Sequence, residues 1–250
     1  WDTDLLLALL HHQGMHHLVV TSATFAAESL SRHLAAPLIE AEGRRFPVTV
    51  EYEAKDERQM PDGRHLAERM ARAVRRALKE TQGPVLAFLP GRGEIRDTAQ
   101  ALGEPGVPVL TLHATVDAES REAALAEDGG QRVILATNVA ETSLTIPGVT
   151  AVVDSGLERR THQRNGRTVL SLAAISQASA DQRSGRAGRT EPGRAIRLWG
   201  RAAPLETRTA PEIQREELTE LVLAAGCAGT AAGALSFPDP LPNKAHNAAL

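Results

Sequence analysis

Lysine is nearly missing from this chain. Of its 28 basic side chains only Lys55, Lys79 and Lys244 are lysine, leaving 25 arginines in 250 residues. The three lysines sit in the contexts AKD, LKE and NKA. None follows a glycine, so the chain holds no GKS or GKT loop, whose lysine reaches terminal phosphates and whose hydroxyl binds magnesium. No DExH or DExD string occurs either. Aromatic residues make up 3% of the chain, too few for a single-strand binder built on stacked rings. One cysteine, Cys227, excludes an internal disulfide and a thiolate zinc cluster and agrees with a reducing compartment. Its simplest reading is a small buried residue. The apolar run LLLAL at 5–9 is far below the roughly 18 residues of a membrane span, and nothing resembles a signal peptide. A soluble, cytoplasmic, non-membrane protein is expected. The net charge of -3 excludes a generally basic, nucleic-acid-coating protein, so any such contact must be local.

What is present is ordinary globular composition, 42% hydrophobic and 24% charged, at a length that allows one or two domains. Hydrophobic periodicity predicts a helix over 2–12, a strand in LVVTSA at 18–23 and a helix over 26–34. LIEAEG and VTVEYE follow, separated by RRFP at 44–47, where a domain linker is expected. A long amphipathic helix over 64–81 sets Leu66, Met70, Ala73, Val74 and Leu78 on one face and stops at Gly83-Pro84. Then come VLAFL at 85–89, a helix over 93–102, VPVLTLH at 107–113, a helix over 117–127, RVILAT at 132–137 and TAVVDSG at 150–156. Apolar strands without strict alternation, spaced by helices, predict an α/β fold with a parallel sheet covered on both faces. Asn165-Gly166 predicts a hairpin over 157–172. A helix over 178–188 and the strand AIRLW at 195–199 follow, and from about 204 the pattern is helical, with proline interruptions at 238–242. The chain opens on Trp1 in mid-helix pattern, which reads as a piece of something longer.

The sharpest string is QRSGRAGR, Gln182 to Arg189. Arg183, Arg186 and Arg189 recur every third residue, so on a helix each lags the one before by about 60° and the three share one broad face. Gly185 and Gly188 lie between them. An interior helix glycine costs ~1 kcal/mol against alanine, so two in one short helix call for close backbone approach or another geometric need. Three planar cations on such a scaffold suit a polyphosphate whose charge must be neutralised; the plainer reading is a solvated basic helix.

In this string the chain resembles the DEAH-type helicases of superfamily 2, where it is motif VI, and the family's other motifs occur in order. VTSAT at 20–24 matches motif III, VLAFLPGRGEI at 85–95 motif IV, and ATNVAETSLTIPGV at 136–149 motif V. DSGLERR at 154–160, the extended motif VI segment and RTAPEIQREELTELVL at 208–223 give a more particular likeness to the bacterial HrpB-type helicases. The resemblance covers nearly the whole chain. It implies a RecA-like, P-loop NTPase-type fold: the end of a first RecA-like domain at 1–38, a second such domain at 39–203, and the start of a winged-helix-like module at 204–250.

The resemblance also implies roles. Gln182, Arg186 and Arg189 would face the γ-phosphate of ATP, with Arg183 and Thr145 beside the nucleotide. Leu125 falls where many eukaryotic relatives stack an aromatic on the base, and Pro147 stands where the family usually has an acid. Gly91, Arg92, Thr137 and Asn138 would touch the nucleic-acid backbone; read alone, the Thr-Asn turn is a helix cap, and glycine beside arginine permits close approach and phosphate pairing. Ser22, Thr24 and Ser143 would couple nucleotide state to the rest. ATP and Mg2+ are the implied cofactors, with the metal ligands and the P-loop in the first RecA-like domain, the partner in cis. Single-stranded RNA is the implied macromolecular partner. The 250-residue chain alone is then expected to be inactive. The alternative is a free-standing, non-catalytic helicase C-terminal module; an ordinary cofactor-binding α/β domain would need a glycine-rich turn after its first strand, which is absent. His11, His12, His16 and His17 could suggest a metal site but read more simply as a polar connection. Arg159, Arg160, Arg164 and Arg167 belong to either a solvated ribbon or a strand-separating hairpin.

Overall fold

A computed structural model of the chain describes residues 1–21, 27–40, 46–127, 130–142, 144–164, 167–243 and 245. In chain order the elements are α1 (Asp2–Gln13), α2 (Ala27–Leu34), β1 (Val48–Tyr52), α3 (Leu66–Glu80), β2 (Val85–Phe88), α4 (Arg92–Leu102), β3 (Val109–Leu112), α5 (Ala118–Leu125), β4 (Val133–Ala136), α6 (Val139–Thr142), β5 (Ala151–Asp154), β6 (Leu157–Arg164), β7 (Arg167–Ala174), α7 (Gln177–Ser184), β8 (Gly193–Arg197) and α8 (Thr219–Cys227), with 3-10 turns at Gly185–Gly188, Glu212–Gln214 and Ala232–Ala234. They form two compact units, Gly43–Arg160 with Leu172–Thr209, and Trp1–Glu42 with Thr161–Ser171 and Ala210–Leu250.

The larger unit is built on a six-stranded sheet in the order β1-β8-β5-β2-β4-β3, with every pairing parallel. Successive side chains of a strand point to opposite faces, and here both faces are apolar. Val85, Ala87, Val133, Leu135, Ala151 and Val153 pack with Met70, Val74 and Ala77 of α3 and Ile95 and Leu102 of α4. Their neighbours Leu86, Phe88, Ile134, Ala136 and Val152 pack with Ala124 of α5, Ala140 of α6 and Ala187 of the 3-10 turn. That is why the strands read as continuous apolar runs: helices cover both sides. The amphipathic helix occupies its expected place, with Leu66, Met70, Ala73 and Val74 buried.

The helix expected over 178–188 changes character on the way. Ser176 caps α7 by accepting from the Ser179 N–H, the α-helix stops at Ser184, and residues 185–188 tighten into a 3-10 turn. The two glycines differ. A Cβ on Gly185 would meet nothing within 4 Å, whereas one on Gly188 would lie 2.5 Å from the Phe46 carbonyl oxygen and 2.7 Å from Val48 Cγ2. The Phe46 N–H donates to the Gly188 carbonyl at 2.9 Å. Close backbone approach therefore accounts for Gly188 alone.

In the smaller unit, Leu5 and Ala8 of α1 share one core with Ile213, Leu218, Leu221, Ala225, Leu235 and Phe237. The strand expected at 18–23 does not form over 18–21, where Val19 is 88% exposed; a strand needs a neighbour to satisfy its backbone, and among the described residues the only strands in this unit belong to the distal hairpin. Cys227 is exposed, not buried. The buried face of α8 holds Leu221 and Ala225, and two residues further on the side chain points about 200° away. His11 and His12 lie in the last turn of α1, which Gly14 closes in the left-handed conformation at φ 65 and where a positive charge complements the helix dipole. His16 and His17 are exposed, and the His11 ring lies 5.8 Å from that of His33 in α2. Among the described residues no group of three or more His, Cys, Asp or Glu is placed to hold a metal, and no helix is long and apolar enough to cross a membrane.

Candidate functional site

Parallel strands open their carboxyl ends toward one edge, where open α/β sheets bind ligands. β2 and β4 are neighbours, with Phe88 paired to Ala136, so the loops that follow them leave side by side. The first carries Gly91 and Arg92, the second Thr137 and Asn138. Gly91 caps α4 in extended backbone, φ −169, open to any residue. A Cβ there would sit 2.8 Å from Arg159 Nε and 2.9 Å from Glu94 Oε2, so this glycine makes room for the Arg159–Glu94 ion pair at 3.0 Å. Arg92 is exposed, and with Arg96 one turn along, Thr111 and His113 it lines an open cavity of about 650 Å³. Thr137 is half-buried and Asn138 exposed. Their carbonyls accept from the Ala140 and Glu141 N–H groups and so start α6.

All three arginines of the sharpest string reach residues 141–145 or the strand end beside them. Arg183 is 1% exposed. Its Nε donates to Glu141 Oε2 at 2.8 Å and its Nη1 to Asp154 Oδ1 at 3.0 Å and the Leu157 carbonyl at 3.4 Å, while the guanidinium lies 4.9 Å from the centre of the Phe88 ring. Burial alone would lower the Arg183 pKa, but Asp154 and Glu141 outweigh it and hold the guanidinium above its ordinary value and charged. Arg186, 6% exposed, donates to the Leu144 carbonyl at 2.6 Å and to the Glu141 carbonyl. Burial, then the neighbouring charge of Arg189, brings its pKa down to about 10 against the pull of Glu141. Arg189 is exposed and donates to Thr145 Oγ1 at 3.0 Å.

The 3-10 geometry helps bring this about. At three residues per turn, i and i+3 stack, so Arg186 and Arg189 do not lag as they would on an α-helix. Gln182 is half-buried on α7. Leu125, half-buried at the end of α5, packs with Leu144 on the cluster that holds Ala187. Arg186, Arg189 and Thr145 are thus brought together, with Arg183 beneath them as a buried tie. Ser22, Thr24 and Ser143 lie outside the described residues, as do the Asn165-Gly166 turn and the side chains of Arg164 and Arg167. Arg160 pairs with Glu158 at 2.8 Å and with Glu206 at 3.2 Å at the hairpin base. Sequence reasoning missed Glu141 and Asp154. The available signal was an ionisable residue ending the buried strand AVVD, since a buried cation requires a counter-charge.

Comparison with known proteins bears on this arrangement. The helicase conserved C-terminal domain family matches residues 67–191. Similar proteins include the ATP-dependent RNA helicase HrpA of Escherichia coli, 39% identical over 214 residues, which are 82% of this chain and 16% of HrpA. The ATP-dependent RNA helicase HrpB of Escherichia coli is 36% identical over 237 residues, 89% of this chain and 29% of HrpB. The crystal structure of the Escherichia coli DEAH/RHA helicase HrpB superposes with a TM-score of 0.87 at 33% identity, covering 99% of this chain and 33% of that one. The chain therefore spans less than a third of the length of these relatives. With half of its residues inside the family's bounds and its six-stranded parallel sheet matched by HrpB, the chain belongs to the helicase conserved C-terminal domain family, of DEAH type.

Proposed function

We propose that these residues are the second RecA-like domain, with flanking segments at 1–38 and 204–250, of an ATP-dependent RNA helicase whose first RecA-like domain supplies the P-loop and acidic box. The observation that carries the reading is the docking of Arg186 and Arg189 on residues 144–145, in the same segment that begins at Thr137 and Asn138. Nucleotide-facing and nucleic-acid-facing groups thus belong to one block.

The residues present fit a polyphosphate. Arg189 offers an exposed guanidinium beside the Thr145 hydroxyl. Arg186 now satisfies two backbone carbonyls, so presenting its charge to a γ-phosphate requires exchanging those acceptors for phosphate oxygens. Bound ATP supplies the phosphoryl group that passes to water. Arg186, Arg189 and Gln182 bind and orient it and neutralise developing charge, which is positioning and electrostatics, without covalent chemistry on the protein. Thr137, Asn138, Gly91 and Arg92 contact strand phosphates, the sequence-independent part of nucleic-acid binding. No residue of this chain is assigned to Mg2+.

ATPase assays of the full-length helicase with and without RNA test this. Arg186→Ala and Arg189→Ala should each lower kcat by about 10³-fold, the lower range for arginine fingers, and residues 1–250 alone should show no turnover. Full activity of either variant, or arginine-dependent turnover by the 250-residue chain, would refute the reading.

A further inference from the structure

Glu141 is anchored three ways. Its N–H donates to the Asn138 carbonyl at 2.9 Å, its own carbonyl accepts from Arg186, and its carboxylate accepts from Arg183 at 2.8 Å. Arg183 in turn holds Asp154 at the end of β5 and the Leu157 carbonyl at the root of the hairpin. Asn138 and Arg186 are therefore joined through the backbone of a single residue, and the side chain of that residue is fixed to the buried centre of the unit. A one-turn helix such as α6 has too few internal hydrogen bonds to hold itself, so these outside anchors set its position.

We propose that Glu141 is a positioning residue that makes the nucleic-acid loop at 137–138 and the arginines at 183–189 move as one piece, with Arg183 as its clamp. This rests on the functional reading above. RNA at Asn138 then shifts Arg186 through Glu141, so that the charge Arg186 presents to the transferring phosphoryl group, rather than the affinity for ATP, depends on RNA.

The experiment uses the full-length helicase with ATP and a single-stranded poly(U) RNA. Glu141→Gln keeps an acceptor for Arg183 and removes the charge; Arg183→Lys keeps the charge and removes the fork. Each should lower the RNA stimulation of kcat by about tenfold, with KM for ATP moving less than about twofold, and the double variant should be no worse than the weaker single. Unchanged stimulation, additive losses, or a tenfold rise in KM for ATP would overturn the proposal. So would parallel loss of all turnover with a collapsed melting transition, which makes the pair purely structural. Arg186→Ala and Arg189→Ala measured alongside separate the two ideas: if they stay active the nucleotide-site reading fails, and if they are dead while Glu141→Gln keeps its RNA response only the coupling fails.

Discussion

Two glycines three residues apart should respond to alanine with opposite signs. Gly188 sits where the 3-10 turn presses on the start of β1. An added Cβ would come within 2.5 Å of the Phe46 carbonyl oxygen and 2.7 Å of Val48 Cγ2, about 1 Å inside ordinary contact. The first obstacle is backbone, so it cannot swing aside. Overpacking of this kind costs about 1–3 kcal/mol, and the movement that relieves it stretches the Phe46 to Gly188 hydrogen bond of 2.9 Å. Gly185 has right-handed backbone, φ −61 and ψ −13, and open space around its Cβ position. Alanine there removes freedom from the unfolded chain only and should stabilise by about 0.4–1 kcal/mol. The two variants should lie roughly 1.5–4 kcal/mol apart, the combination of those ranges. Urea unfolding followed by Trp199, which is buried in the same unit, measures the difference in a Trp1→Phe background. Equal destabilisation by both would refute the argument and restore the view that the motif needs two glycines for one shared reason. Arg189 follows Gly188 directly, so Gly188→Ala should also weaken nucleotide binding, and Gly185→Ala should leave it unchanged.

Asp154→Asn should destabilise by about 1–3 kcal/mol, because it strips one of two carboxylates from a buried guanidinium that keeps Glu141; a urea midpoint within error of the parent would sink that account of Arg183. Asp117 is held below the ordinary carboxylate value by the Ser120 backbone N–H and then by the Ser120 hydroxyl. Its folded-state pKa is depressed, so its stabilisation is complete above the unfolded value and fades as pH falls through the folded one. The parent's advantage over Asp117→Ala should therefore be present at neutral pH and shrink below about pH 4; melting curves that stay equally separated down to strong acid would contradict it.

The parallel sheet was legible because both of its faces are covered, which makes the central strands β5, β2 and β4 apolar on each side, and because α3 and α4 are bounded by strong stops at Gly83-Pro84 and Gly103. LVVTSA forms no strand over 18–21 for a matching reason: its composition is strand-like, but among the described residues its own unit offers no strand beyond the distal hairpin. Cys227 was misplaced because composition gives burial frequency and not helical phase. The arginine string was legible as chemistry, though not as architecture. Its spacing of three fitted an α-helix with a broad cationic face equally well as a 3-10 turn packed on a carbonyl-lined loop, and nothing local distinguishes Gly185 from Gly188. Only the approach of β1, more than 130 residues away in sequence, separates them.

The scarcity of lysine also acquires a physical account. Arg183 engages two carboxylates, a carbonyl and a ring face; Arg186 engages two carbonyls. Arg75 closes the end of α4 by donating to Ala101 and Leu102. Arg69 reaches the carbonyls of Asp62, Arg64 and Leu198. Arg197, 3% exposed, ties Tyr52, Asp181 and Ser184 together. In each case one side chain joins segments distant in sequence through several donors set in a fixed plane, which a lysine ammonium, a compact and strongly hydrated point charge, does not reproduce. An excess of arginine in a chain of net negative charge had pointed outward, toward phosphate. Part of it points inward instead, with Arg183, Arg186 and Arg197 buried, and fastens loops that would otherwise leave carbonyls unsatisfied. Arg92 and Arg189, both exposed beside the candidate site, are then cations whose removal should alter binding without altering the fold.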